Sequence, residues 1–420
     1  MFSLRNQWIA FCFIPWCIVG RADDAWQPVI LHGKAQSVAP MTGIVLWDDN
    51  GENTTDAIQL EYSYVGYDQI VSKKGVYDWQ TVDAKLTAIA ARGHQAVLRF
   101  YFDYVGKPTT VPAYIKQLSD YSEVTAKSEG KQTGFSDWSH PELQTFVLQF
   151  YSELAKRYDN DRRLAFLQTG FGLWAEYHIY DGPMELGKTF PSKAFQARFA
   201  KHLDGTLKQL PWMISIDAAD QEWSPMAKDD TLRSLGFGLF DDSFLSKEHP
   251  KVNALNWQAF GGDRWQRVPA GGEFSYYNKR DQRMALAPSG PNGDSFEKAA
   301  ARFHISFMIG DDQTQYHSLD RIRTAGMRCG YKFHIEKVES DGVETRGTIA
   351  NHGVAPIYFD AYPAILQSGS EVRSTVSLKH LLPGEKRQFT IPAKADASNF
   401  RIACDRLVEG QRIPFTSISN

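Results

Sequence analysis

Short apolar runs alternate with longer stretches in which apolar residues recur every three or four positions. Thr42-Gly-Ile-Val-Leu-Trp47 is the first run, and Gln59-Leu-Glu-Tyr-Ser-Tyr-Val65 the second, alternating as a strand does. Val82, Leu86 and Ile89 then share one helix face, which Gly93 stops. Gln95-Ala-Val-Leu-Arg-Phe100 predicts a third strand. Pro141 opens a helix whose face carries Leu143, Phe146, Val147, Phe150 and Leu154. A fourth strand runs through Phe166 to Phe171. Phe195, Phe199, Leu203 and Leu207 make the next helical face, and Trp212-Met-Ile-Ser-Ile216 is the fifth strand. Leu235 to Phe240 reads as the sixth. Arg267 to Gly272 is the seventh, weakened by Pro269 and the glycines. A helix near Phe296 to Arg302 leads into the eighth, His304 to Ile309. Strand and helix signals in alternation imply parallel βα units, and eight of them over about 280 residues match an α/β fold of the (β/α)8 TIM barrel type.

The pattern changes after Gly326. Alternating runs such as Tyr331-Lys-Phe-His-Ile-Glu-Lys-Val338 recur, punctuated by Asn351-His-Gly353 and Pro383-Gly384, with no helical face among them. This predicts a small all-β, Ig-like sandwich over residues 327–420, behind a barrel over 23–326. A long polar loop over residues 105–138 interrupts the barrel pattern and is expected to be functional or mobile.

Residues 1–22 read as an export signal. Arg5 stands in a short n-region, an apolar stretch runs from Trp8 to Val19, and Gly20-Arg21-Ala22 supplies small residues for cleavage. The expected location is therefore secreted or periplasmic, with no membrane contact after cleavage. Cys12 and Cys17 leave with the signal; Cys329 and Cys404 stay, and in an exported chain they are candidates for a disulfide. A net charge of −3 without a Lys/Arg cluster argues against nucleic acid as the main partner. The oligomeric state is left open. Neither zinc-site, phosphate-loop nor nucleophile-elbow patterns occur, so no metal and no cofactor are expected. Asn53-Thr-Thr55 is a formal glycosylation sequon.

Carboxylates carry the chemistry. Glu176 closes the run from Leu167, and Glu273 the run from Val268, which sets them on strands four and seven at the C-terminal mouth of the barrel. Two carboxylates there suit double-displacement sugar hydrolysis. Glu176, between Trp174 and Tyr177, is the expected acid/base, its pKa raised by apolar walls. Glu273 is the expected nucleophile, kept ionised by Arg99 and aimed by Tyr276. Each could instead be a ligand-gripping or salt-bridged carboxylate. Asp48, Asp49, Asp103, Asp217, Asp241 and Asp242 should reach the same mouth, chiefly to grip hydroxyls. His178 either tunes the acid, binds a hydroxyl or is structural. Trp47, Trp174, Trp223, Trp257, Trp265 and Tyr276 are candidate sugar platforms. Expected substrate contacts are thus Trp47, Asp48, Arg99, Trp174, Tyr177, His178, Asp217, Asp241 and Tyr276.

The passage from Tyr62 to Trp79, followed by Arg92-Gly-His94 and Val97-Leu-Arg-Phe100, resembles the strand-two to strand-three passage of clan A glycoside hydrolases such as the family 42 β-galactosidases. Phe171-Gly-Leu-Trp-Ala-Glu-Tyr-His178, Gly271-Gly-Glu273 and Asn351-His-Gly-Val-Ala-Pro-Ile-Tyr358 resemble more closely secreted bacterial proteins grouped as domain-of-unknown-function family 4832. That resemblance covers nearly the whole mature chain. It implies a glycosidase barrel and leaves the sugar open. Clan A enzymes usually carry Asn before the acid/base, where this chain has Ala175; His178 replaces it, the substrate differs at that carbon, or catalysis differs. The expected function is hydrolysis of a poly- or oligosaccharide. The alternatives are a carbohydrate-binding protein without catalysis, or a transglycosylase.

Overall fold

In the computed structural model, residues 26–417 apart from residue 34 are described. The export signal, with Cys12 and Cys17, lies outside the described residues.

Eight parallel strands close into a barrel. In chain order they are Gly43–Trp47, Leu60–Gly66, Gln95–Tyr101, Leu164–Thr169, Trp212–Ser215, Gly238–Phe244, Ala270–Phe274 and Phe307–Ile309, here called strands one to eight. Strand eight returns to strand one with Phe307 beside Gly43, which seals the ring. The strand count read from the chain is therefore right, with boundaries moved by up to four residues. Among the longer helices, Pro141–Tyr158 shows why the chain obeys the pattern. Its first residue is proline, whose missing N–H has no partner to lose there, and His140 accepts the Glu142 N–H at 3.2 Å. Its apolar face buries Phe146 and Phe150 against Tyr67 and Phe100.

The long segment 105–138 is not structureless. It carries a hairpin of Val124–Ser128 and Lys131–Phe135, turning at Glu129 and Gly130 with φ of 48° and 72°.

After the barrel, two antiparallel sheets form the sandwich. One contains Phe333–Ser340, Thr345–Asn351 and Lys386–Ile391, and the other Ser370–Arg373, Tyr362–Gln367 and Phe400–Ala403. The expected boundary at residue 23 needs correcting. Gln27–Pro28 pairs with Ser340 and Glu339, so the first described residues complete the sandwich and precede the barrel only in sequence. The sandwich plugs the N-terminal face of the barrel. Phe359 packs on Phe166, which stacks on Phe307 inside the ring at 4.8 Å. Arg406 donates to the Leu164 carbonyl at 2.8 Å, and Gln95 to the Arg406 carbonyl at 2.8 Å, both at strand starts. Cys329 and Cys404 are free, buried thiols in different apolar clusters, so the expected disulfide does not form. No helix among the described residues is long and apolar enough to cross a membrane.

Candidate active site

The strands open at their C-terminal ends into a cavity of about 820 Å3. Its wall combines Glu176, Asp217, Asp242 and Glu273 with Trp47, Tyr64, Tyr104, Trp174, Tyr276 and Tyr277. A cavity this size, apolar on its sides with a few converging polar groups, has the build of a small-molecule site.

Glu176 is not at the end of strand four. The strand stops at Thr169, and Glu176 stands in a tight turn beyond it. The N–H groups of Phe171 and Gly172 both donate to the Glu176 carbonyl, at 3.1 and 2.8 Å. The turn closes only because glycine holds two positions. A Cβ on Gly170 would lie 2.0 Å from the Ala175 carbonyl oxygen, and one on Gly172 2.0 Å from that of His178. Trp174 and Ala175 both adopt left-handed backbone, with φ of 53° and 58°. Two such residues in succession, neither of them glycine, are strained. Hydrogen bonds hold them: the Trp174 N–H donates to the Asp103 carbonyl at 3.0 Å, and its own carbonyl accepts from Arg99 at 3.0 Å and Tyr64 at 3.2 Å. Ala175 itself is fully buried, so this position presents nothing to the cavity.

Glu273 sits in strand seven, its backbone beside Ile309 of strand eight. The glycines before it serve the barrel, not the approach of substrate. A Cβ on Gly271 would meet the Phe307 ring at 2.6 Å, and one on Gly272 the Asp241 carbonyl at 2.5 Å.

Arg99 is wholly buried on strand three and does not line the cavity. Every nitrogen of its guanidinium is engaged. Nε and Nη2 donate to Gln168 Oε1 at 2.9 and 2.6 Å, Nη1 to the Tyr64 hydroxyl at 3.1 Å and the Trp174 carbonyl, and Nη2 to Asp242 Oδ1 at 3.0 Å. It is a brace and a buried positive charge, not a substrate contact as expected.

One oxygen from each of Glu176, Asp217 and Asp242 lies within 4.8 Å of the others. Among the described residues, this is where a cation would sit if the chain held one. Removal from water pushes Glu176 well above the usual carboxylate range, and the charges of Asp242 and Asp217 add to it. Asp217 is raised mainly by burial, opposed by His178. Burial lifts Asp242 to about 7 against the pull of Arg99. Glu273 rises to about 8, through burial and then the Asp242 charge; Arg99 opposes this and does not win. Arg99 thus pulls the Glu273 pKa down, the direction expected of it, but burial outweighs that pull.

The other expected contacts divide. Trp47, Trp174, His178, Asp217 and Tyr276 line the cavity. Asp48 does not: it turns to Ser63 and Lys85, both at 2.5 Å. Tyr177 is buried in the layer between barrel and helices, against Phe171. Asp241 borders the cavity, but all four of its acceptor directions are taken, by Ser243 N–H, Asn253, His249 and Trp257. Asp103 is sealed beneath Ser136, which donates through N–H and hydroxyl, and its pKa rises to about 8 through burial. Trp257 and Trp265 line a separate cavity of about 220 Å3 whose wall has no carboxylate. Trp223 lines neither cavity.

Sequence reasoning passed over Tyr64, Tyr104, Tyr180 and Glu129. Tyr64 was legible, because Tyr62 and Tyr64 alternate on one face of strand two. Tyr180 stacks on Trp174, ring centres 5.5 Å apart and 10° from parallel, and its hydroxyl donates to Glu129 at the hairpin tip. The hairpin thus forms one wall of the cavity.

No family model and no curated protein matches this chain. Among solved structures it is similar to an α-galactosidase from Lactobacillus brevis, at 10% identity and a TM-score of 0.40, covering 86% of this chain and 56% of that one. It is similar also to a β-galactosidase from Rahnella, at 12% identity and a TM-score of 0.40, covering 67% of this chain and 52% of that one. A β-galactosidase from the psychrophilic Marinomonas gives 12% identity and a TM-score of 0.39, over 68% of this chain and 58% of that one. The chain spans little more than half the length of each of the three. The fold assignment rests on the strand pairing above.

Proposed function

We propose that the protein is a glycoside hydrolase, cleaving an oligo- or polysaccharide by retaining double displacement. One observation carries this reading: Glu176, from the turn that follows strand four, and Glu273, from strand seven, open onto a single cavity walled by aromatic rings. Glu273 attacks the anomeric carbon while the bond to the leaving oxygen breaks, and Glu176 gives that oxygen its proton. Water then attacks the glycosyl ester. Glu176 takes one water proton, the water oxygen joins the anomeric carbon, and Glu273 leaves as a carboxylate. The raised pKa of Glu176 suits an acid that must hold its proton at neutral pH. The ring faces of Trp47, Trp174 and Tyr276 suit the apolar faces of pyranose rings. Export of the chain belongs to the same proposal and rests on its first 22 residues.

A second reading, a barrel that binds sugar without cleaving it, draws on Glu273 keeping its proton up to about 8. Turnover on a panel of glycans, with Glu176→Gln and Glu273→Gln as controls, separates the two. Cleavage lost in both variants supports the hydrolase. Binding by the parent without cleavage of any glycan favours the second reading.

A further inference from the structure

The cavity holds more carboxyl groups than double displacement requires. That mechanism uses two carboxyl groups, one of them protonated. Asp217 and Asp242 are additional. They stand with Glu176 so that one oxygen from each lies within 4.8 Å of the others. Among the described residues, no lysine or arginine lines the cavity. Arg99 lies beneath it with every guanidinium nitrogen already bonded, so it cannot also receive an anionic group of a substrate. Lys131 approaches only the rim carboxylate Glu129, at 3.9 Å, with both side chains exposed. His178 offsets Asp217 only when protonated. Asp242 Oδ2 is shielded from water and accepts no hydrogen bond, which leaves a strong acceptor unserved. Asp241 next to it shows that the fold can saturate a carboxylate at this rim when it is structural.

From this geometry we infer that the cavity takes a sugar bearing a free amino group, a hexosamine whose ammonium is held by Asp217 and Asp242 beside Glu176. This rests on the glycosidase reading and names its substrate class. An ammonium offers three donors and a compact charge, which fits acceptors converging from three sides. The aromatic walls take the ring, and the acidic floor takes the charge. The same floor offers no cation to uronic acids or sulfated sugars, and an N-acetyl group brings no charge and a single N–H donor. The raised pKa values of Asp242 and Glu176 agree with this: the carboxylates repel one another until a cation arrives.

The test uses the full mature chain and matched tetramers: glucosamine and galactosamine oligomers, their N-acetylated forms, and a galacturonic acid oligomer. Binding is measured by calorimetry in the cold, and cleavage is followed by mass spectrometry in the same samples. A free-amine oligomer should bind at least tenfold more tightly than its acetylated twin, and added salt should weaken it more. Asp217→Asn should shrink that ratio toward one; thermal melting of the variant checks that it is folded, and the salt dependence of the parent tests the same point without any variant. Equal or tighter binding of the acetylated or uronic oligomer overturns the inference, as does failure of every free-amine oligomer to bind. Binding of free-amine oligomers that appears only with an added divalent cation overturns it too, because the three carboxylates then hold a metal. Cleavage of acetylated oligomers with no preference for the free amine removes the inference and leaves the hydrolase standing. Tight binding of a free-amine oligomer without cleavage does the reverse.

Discussion

Glu61 and the carboxylates of the mouth belong to one barrel and are treated in opposite ways. Glu61, on strand two, is wholly buried and fully served. Arg92 donates to both of its oxygens at 2.9 and 2.5 Å, His94 meets one at 2.8 Å, and Asn53 the other at 3.1 Å. At the mouth, Glu176, Asp217, Asp242 and Glu273 share a single buried arginine, and it bonds only Asp242. Burying a charge is tolerable when it is paired and costly when it is not. The first arrangement holds a strand and its helix together. The second destabilises the fold, and such clusters of perturbed carboxylates mark functional sites.

The sharpest way to break the comparison is to neutralise one member of each group. Glu176→Gln and Glu273→Gln should each lower kcat/KM by about a thousandfold while the fold stays intact. Glu61→Gln should do the opposite. It strands Arg92 and should cost about 3 kcal/mol in denaturant melts, with activity per folded molecule retained. Equal stability losses in all three variants would erase the distinction.

A pH profile sharpens it. On the proposed mechanism Glu273 must lose its proton to act and Glu176 must keep its own, and burial lifts Glu273 to about 8. On a cleaved substrate, kcat/KM should climb about tenfold per pH unit below that value and level off near it. A profile that is flat from weakly acid to neutral pH would contradict the assignment of Glu273.

Stability should move the other way. The pKa of Glu273 is higher folded than unfolded, so the native state binds the proton more tightly. Its favourable contribution is complete below the unfolded value and is lost as pH rises toward about 8. Glu273→Gln should therefore melt a few degrees above the parent in alkaline buffer, with the gap closing in acid. The smallest effect concerns the aromatic wall. Tyr180→Ala removes the ring stacked on Trp174 and should raise KM by roughly threefold to tenfold with little change in kcat.

The barrel was legible because its strands are short apolar runs between amphipathic helices, and burial on both faces imposes that pattern. The floor of the site was less so. Asp241 and Asp242 are neighbours in sequence, yet side chains alternate along a strand: Asp242 meets Arg99, and Asp241 turns to His249 and Asn253. Asp48 was misplaced for want of its partner Lys85, which arrives from a helix no local pattern links to it. Glu176 was assigned to a strand end because Phe171 and Leu173 look like strand residues. Gly170 and Gly172 were the sign of a turn. The hairpin wall had a signal too, since Val124, Ala126 and Ser128 alternate up to the Glu129-Gly130 turn. The pairing of Cys329 with Cys404 was inferred from compartment alone, and their burial in separate clusters lay beyond any local pattern.

The central claim is that Glu273 attacks the sugar and Glu176 assists. Its most direct test is the product of Glu273→Ala supplied with azide and an activated aryl glycoside. Azide should enter the space left by the carboxylate and restore turnover, giving a glycosyl azide whose anomeric configuration is inverted relative to the substrate. A retained azide, or a variant that cleaves as fast as the parent without azide, would contradict it and turn attention to Asp242.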